Sequence, residues 1–73
     1  MSDEFSVVAF YDAGWHEYIA RELDAEDAVN LAKSCTAGAC VERVIVTDGG
    51  DHTVLEWKRG EGVTFPKSKQ GAA

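Results

Sequence analysis

The apolar positions change period along the chain, and each change marks an element. Phe5–Tyr11 (FSVVAFY) is almost continuously apolar and aromatic, which suits a strand covered on much of both faces. Asp12-Ala13-Gly14 breaks the run with a glycine where a left-handed residue closes a three-residue loop, and Trp15–Leu23 returns as a second strand. Closing Tyr11 against Trp15 sets Phe10 opposite His16, Val8 opposite Tyr18 and Val7 opposite Ile19. From Asp24 the spacing turns helical: Ala25, Ala28, Val29, Ala32, Cys35 and Thr36 recur on one stripe, with Leu31 at its edge. Asp24 is placed to accept from the amide of Asp27, and Glu26 and Asp27 sit where the helix dipole favours negative charge. Gly38 is the expected left-handed cap at the other end.

The clearest pattern is VERVIVTDGGDHTVLEW, residues 41 to 57, which reads as two strands folded back at Gly49-Gly50. Two adjacent glycines supply positive φ for a two-residue turn of type I′. That turn sets Asp48 against Asp51, Arg43 against Glu56, Ile45 against Val54 and Val44 against Leu55. Val44, Val46, Leu55 and Trp57 then share the face better suited to a core. Arg43, Ile45, Thr47, His52, Val54 and Glu56 share a half-exposed one. After Trp57 the glycines of Lys58-Arg59-Gly60-Glu61-Gly62 interrupt the strand. Val63-Thr64-Phe65 is a short apolar piece able to fold back as a latch or an edge strand, with Pro66 stopping it.

The order β-β-α-β-β predicts an α+β domain, a single four-stranded, mainly antiparallel sheet with one helix packed on one face. Such a layout leaves the second sheet face uncovered, although apolar side chains fall on both faces of Phe5–Tyr11. The surplus points to association.

Composition bounds the picture further. A chain of 73 residues, 45% hydrophobic and 27% charged, makes one globular domain near the lower size limit for a core that stands alone. Residues 1–73 form that domain, with an ordered core of about 5–65, a mobile acidic start at Met1–Glu4 and a flexible tail at Lys67–Ala73. The net charge of −6 is uneven: −9 from Met1 to Trp57 and +3 from Lys58 to Ala73. An acidic body without a clustered basic face argues against nucleic acid. A chain with no membrane-length apolar run and no leader pattern is expected in the cytoplasm, away from membranes. An acidic body that mimics nucleic acid is the weakest reading, because the acids are scattered over several elements.

Chemistry is scarce. The Gly49-Gly50 pair joins two strands rather than opening a helix, so it is no phosphate loop. The serines and histidines have no triad context. Cys35 and Cys40 are read as two small buried apolar residues rather than a disulfide. A zinc site would have to take His16, Cys35, Cys40 and His52 one at a time from four elements. No enzyme activity and no cofactor are expected. Two binding surfaces stay open. The first is the half-exposed sheet face with Ile45 and Val54, contacting a protein partner or a second copy in a homodimer. The second is the hairpin tip, where Asp48, Asp51 and His52 offer a small-ligand or metal contact.

Trp15 after its turn, the helix opening DAEDAVNLA and the hairpin VIVTDGGDHTVLEW together resemble small uncharacterised bacterial domains of β-β-α-β-β type, over about residues 5 to 65. The resemblance implies the fold and carries over no functional residue.

Overall fold

A computed structural model describes residues 4–65. Strands β1 (Phe5–Tyr11) and β2 (His16–Leu23) form the first hairpin, followed by helix α1 (Ala25–Cys35). Strands β3 (Val41–Thr47), β4 (Thr53–Lys58) and β5 (Gly62–Phe65) complete the chain. All five strands make one sheet in the order β2-β1-β3-β4-β5, and every neighbouring pair is antiparallel. The fold is therefore α+β with one helix on an antiparallel sheet, but with five strands rather than four. The extra strand is the Val63–Phe65 piece, which pairs with β4 as an edge strand through Trp57 opposite Val63 and Lys58 opposite Gly62. Four residues carry little strand signal alone; the unpaired edge of β4 supplies the partner groups that fix them.

The first hairpin closes as its sequence dictates. The amide of Tyr11 donates to the Trp15 carbonyl at 2.9 Å, and Gly14 sits at φ 93°, where a side chain is strained. Phe10 faces His16 and Val8 faces Tyr18, but Val7 faces Ala20 instead of Ile19, because β2 is bulged there. A second shift precedes Phe5 opposite Leu23, and Glu22 in that stretch has φ 60°. Irregular pairing and charged Arg21 and Glu22 blunt this edge against further strand addition. A glutamate has no local hydrogen bonding to offset a left-handed backbone. Glu22→Gly is therefore expected to raise unfolding free energy by about 0.5–1 kcal/mol, read from the urea midpoint.

Asp24 caps α1 through Oδ1, which accepts from the Asp27 amide at 2.8 Å. The C-terminus departs from expectation. The helix ends at Cys35 with Thr36 in a right-handed conformation, and its hydroxyl donates to the Lys33 carbonyl at 2.7 Å. Gly38 is not left-handed; a Cβ there meets Val41 Cγ2 at 3.0 Å, so close approach rather than φ favours glycine. Ala28 and Ala32 are buried against Val7, Val41, Val44 and Val46, with Ile19, Leu23, Leu31, Leu55 and Trp57 packed around them. Small residues on the buried stripe let α1 lie close to the sheet.

The second hairpin turns differently from the type I′ expectation. Asp48 pairs with His52 rather than Asp51, the Asp48 amide donating to the His52 carbonyl at 2.9 Å. Gly49 and Gly50 are not left-handed; Asp51 is, at φ 64°. Aspartate tolerates that conformation, so a longer loop with a bulge replaces the tighter turn. The ladder is displaced by two residues, giving Arg43 opposite Lys58, Val44 opposite Trp57, Ile45 opposite Glu56 and Val46 opposite Leu55. A shift of two preserves the faces, so Val44, Val46, Leu55 and Trp57 still point towards α1.

Cys40 is a second correction: it is exposed, and both cysteines are free thiols. A register shift between Phe10 and Tyr11 opposite β3 breaks the alternation that placed Cys40 with Val44. Met1–Asp3 and Lys67–Ala73 lie outside the described residues, and the mobility expected of them with them. Glu4, expected to be mobile as well, lies against Gly49, where an added Cβ meets its Oε1 at 2.9 Å.

Candidate functional site

The face away from α1 was expected to be the uncovered one, yet Val8 and Ile45 on it are only 2% and 9% exposed. Tyr18 stands opposite Val8 and Glu56 opposite Ile45, and polar and aromatic side chains of the sheet flank them. His16 on β2 lies 5.3 Å from the Phe10 ring on β1, and the Arg43 guanidinium of β3 lies 4.5 Å over the other ring of that contact, Phe10. Arg43 Nε donates to Glu56 Oε2 of β4 at 2.6 Å, and Thr64 of β5 donates through Oγ1 to Glu56 Oε1 at 2.8 Å. One side chain from each strand thus joins a file across the sheet. Beside it Arg21 lies 4.2 Å over the Tyr18 ring. Arginine stacked on an aromatic ring covers apolar area with its stem and keeps its charge in water. Ile45 is therefore buried, and of the expected contact pair only Val54 meets solvent.

Glu56 is held below the ordinary carboxylate range, first by the Thr64 hydroxyl and then by Arg43. A depressed folded pKa means that the ionised form stabilises the fold above the unfolded value of about 4.3, and this is lost as pH falls through the folded value. Glu56→Gln is expected to lower unfolding free energy by about 1 kcal/mol or less at pH 7, since Arg43 is partly exposed. The urea midpoints of the two proteins should converge as pH falls through the lowered folded value of Glu56.

The hairpin tip is a closed turn. Asp48 Oδ1 accepts from the amides of Gly50 at 2.9 Å and His52 at 3.0 Å, and stands 3.6 Å from His52 Nδ1. Those bonds, led by the His52 amide, hold the Asp48 pKa below its usual range. The carboxylate is thus occupied in shaping the loop. Asp51 takes the left-handed position, its amide donating to the Asp48 carbonyl at 3.1 Å. Among the described residues no three of His, Cys, Asp or Glu gather as a metal-holding group, so His16, Cys35, Cys40 and His52 do not converge. Burial pushes the Cys35 thiol pKa up, which disfavours a thiolate nucleophile.

An open depression of about 560 Å³ is lined by Glu42, Arg43, Glu56, Lys58, Arg59 and Glu61. Its charges are divided between signs and partly satisfied within the chain. Arg43 holds Glu56, and Arg59 binds Asp12 through Nη2 at 2.7 Å and Nη1 at 3.1 Å. Nη1 of Arg59 also donates to the Ala39 carbonyl at 3.1 Å, which ties the first turn to the entry of β3. This arrangement serves the fold and presents no single charge to a ligand.

The unpartnered apolar surface lies on the helix side. The backbone of α1 lies over β2, β1 and β3, and β4 and β5 lie beyond it. Five strands spaced about 4.8 Å apart make a sheet about 19 Å across, and one helix is about 10 Å wide. A groove of about 110 Å³ therefore runs along α1, walled by Val29, Ala32, Lys33 and Thr36 and floored by Val44, Leu55, Trp57 and Val63. It is almost wholly apolar in lining, and Val29 and Val63 at its rim are 37% and 53% exposed. Residue parity placed Leu55 and Trp57 with the core and gave no sign that they border solvent. Counting five strands against one helix is the signal that would have found the groove.

No family model, curated protein or solved structure matches the chain. No helix among the described residues is long and apolar enough to cross a membrane.

Proposed function

We propose that the chain is a non-enzymatic protein-interaction module whose contact surface is the helix-side sheet face beyond α1. The observation that carries this reading is the open apolar floor of Leu55, Trp57 and Val63 beside Val29. Apolar surface left in contact with water and bordered by a rigid helix and strand is the raw material of an interface. The cover over Val8 and Ile45 favours this face over the opposite one.

Light scattering across a wide concentration range tests the reading on the protein alone. An exposed groove should make the apparent mass of the wild type rise with concentration, with or without reductant. Val63→Asp should hold the protein at monomer mass, whereas Val54→Asp on the opposite face should behave as wild type. Association that survives Val63→Asp and disappears in Val54→Asp moves the interface to the other face and sinks the proposal.

A further inference from the structure

We infer that two copies of the chain exchange β5, each giving the strand to the β4 edge of the other; this goes beyond the interaction reading above and does not use the groove as a contact. The occupant of that edge follows from the fold, because β5 already sits on it. Val63 stands opposite Trp57, Gly62 opposite Lys58, and Thr64 Oγ1 donates to Glu56 Oε1 at 2.8 Å. The same strand from a second copy makes the same bonds, so none is lost in the exchange. The strand is also free to leave. Among the described elements the backbone of β5 neighbours β4 alone, and Val63 and Phe65 are 53% and 46% exposed. An edge element with so little buried area opens at a lower free energy than the sheet it borders.

The link between the two strands decides how the copies meet. Arg59-Gly60-Glu61 closes the hairpin, with the Glu61 amide donating to the Lys58 carbonyl at 3.0 Å and Gly60 at φ 86°. The pairs Trp57 with Val63 and Lys58 with Gly62 are both centred on Gly60. With the link straightened, β4 and β5 become one longer strand. Two such strands run antiparallel about a two-fold axis at Gly60, and both pairs keep their register between copies. The straight form adds Gly60 opposite Gly60. It also sets Arg59 opposite Glu61 of the second copy on each side of the axis, an unlike-charge pair. Arg59 is tied to Asp12 and to the Ala39 carbonyl, so the change of direction falls on Gly60. A short link with a left-handed residue is the kind of hinge at which strands exchange.

Size-exclusion chromatography with light scattering on the intact 73-residue chain, incubated at high concentration, reads the exchange. Gly60→Val should raise the dimer association constant by about tenfold or more, because the new side chain strains the turn in each copy and relaxes when extended. Space is not at issue, since among the described residues no atom beyond the chain neighbours lies within 4 Å of a Cβ at Gly60. Gly60→Asn, which tolerates the left-handed turn, should stay near wild type. When isotope-labelled and unlabelled Gly60→Val chains are mixed, nuclear Overhauser contacts between Lys58 and Gly62 should cross from one copy to the other. Adding Val29→Asp, which charges the groove wall, should leave those contacts in place. A Gly60→Val protein that is folded by circular dichroism and stays monomeric overturns the exchange. Association that Val29→Asp abolishes, with no contact between Lys58 and Gly62 of different copies, overturns the exchange and keeps the groove reading.

Discussion

Ala28→Leu is expected to remove about 2–3 kcal/mol of unfolding free energy, a large share for a domain of this size. Ala28 has no exposed surface and lies where α1 meets Val7, Val44 and Val46. Three additional carbons have no space to enter, so either the helix must lift or β1 and β3 must part. The neighbouring Val29→Leu provides the contrast. Val29 faces the groove, so added bulk there should change stability by no more than about 0.5 kcal/mol. Urea denaturation of the two variants reads out the rotation of α1 on the sheet. Equal losses would mean that the helix presents a different side to the strands.

Phe10→Ala is the second substitution with a large expected effect, about 2–3 kcal/mol. The ring is half-buried, and its loss removes the support beneath both Arg43 and His16. Val8 and Ile45 would then face water. Phe10→Leu should recover about half of the loss, because it restores apolar area without the face that attracts the guanidinium. If Phe10→Ala changes the urea midpoint no more than an exposed-loop substitution does, the aromatic and arginine file is not what covers this side of the sheet.

Local chemistry made part of this fold legible. Asp24 caps α1 because a carboxylate three residues before Asp27 can reach its amide whatever the rest of the chain does. Gly14 closes the first loop for an equally local reason. The Gly49-Gly50 turn shows where local reading stops. Two hairpin loops suit an Asp-Gly-Gly-Asp stretch, and they differ by two residues in register. The faces came out the same, which is why Val44, Val46, Leu55 and Trp57 fall on the core side as expected. The partners did not, although Arg43 still meets Glu56 on the diagonal at 2.6 Å. Cys40 and Ile19 were misplaced by bulges, which interrupt an alternation that sequence parity assumes to be continuous. β5 was legible only as a possibility, since four residues become a strand when β4 offers a free edge.

The candidate site was less legible than the fold. Surplus apolar surface for one helix was visible in Phe5–Tyr11, but the side on which it emerges depends on how far α1 extends over the strands. It also depends on whether Phe10, Arg43 and Glu56 line up across the opposite face. Both are tertiary facts. The expected tip residues Asp48, Asp51 and His52 shape a turn, and Ile45 is covered, which leaves the groove beside Val29, Trp57 and Val63 as the surface with a use still to assign.

The most direct test of that assignment is site-specific photo-crosslinking in the cell that makes the protein. A photoreactive residue is placed in turn at Val63, at Val54 and at Asp51. The account predicts a discrete protein adduct from Val63, lost when Val29→Asp is added, and none from Val54 or Asp51. An adduct that forms from Val54 or Asp51 while Val63 gives none would contradict it.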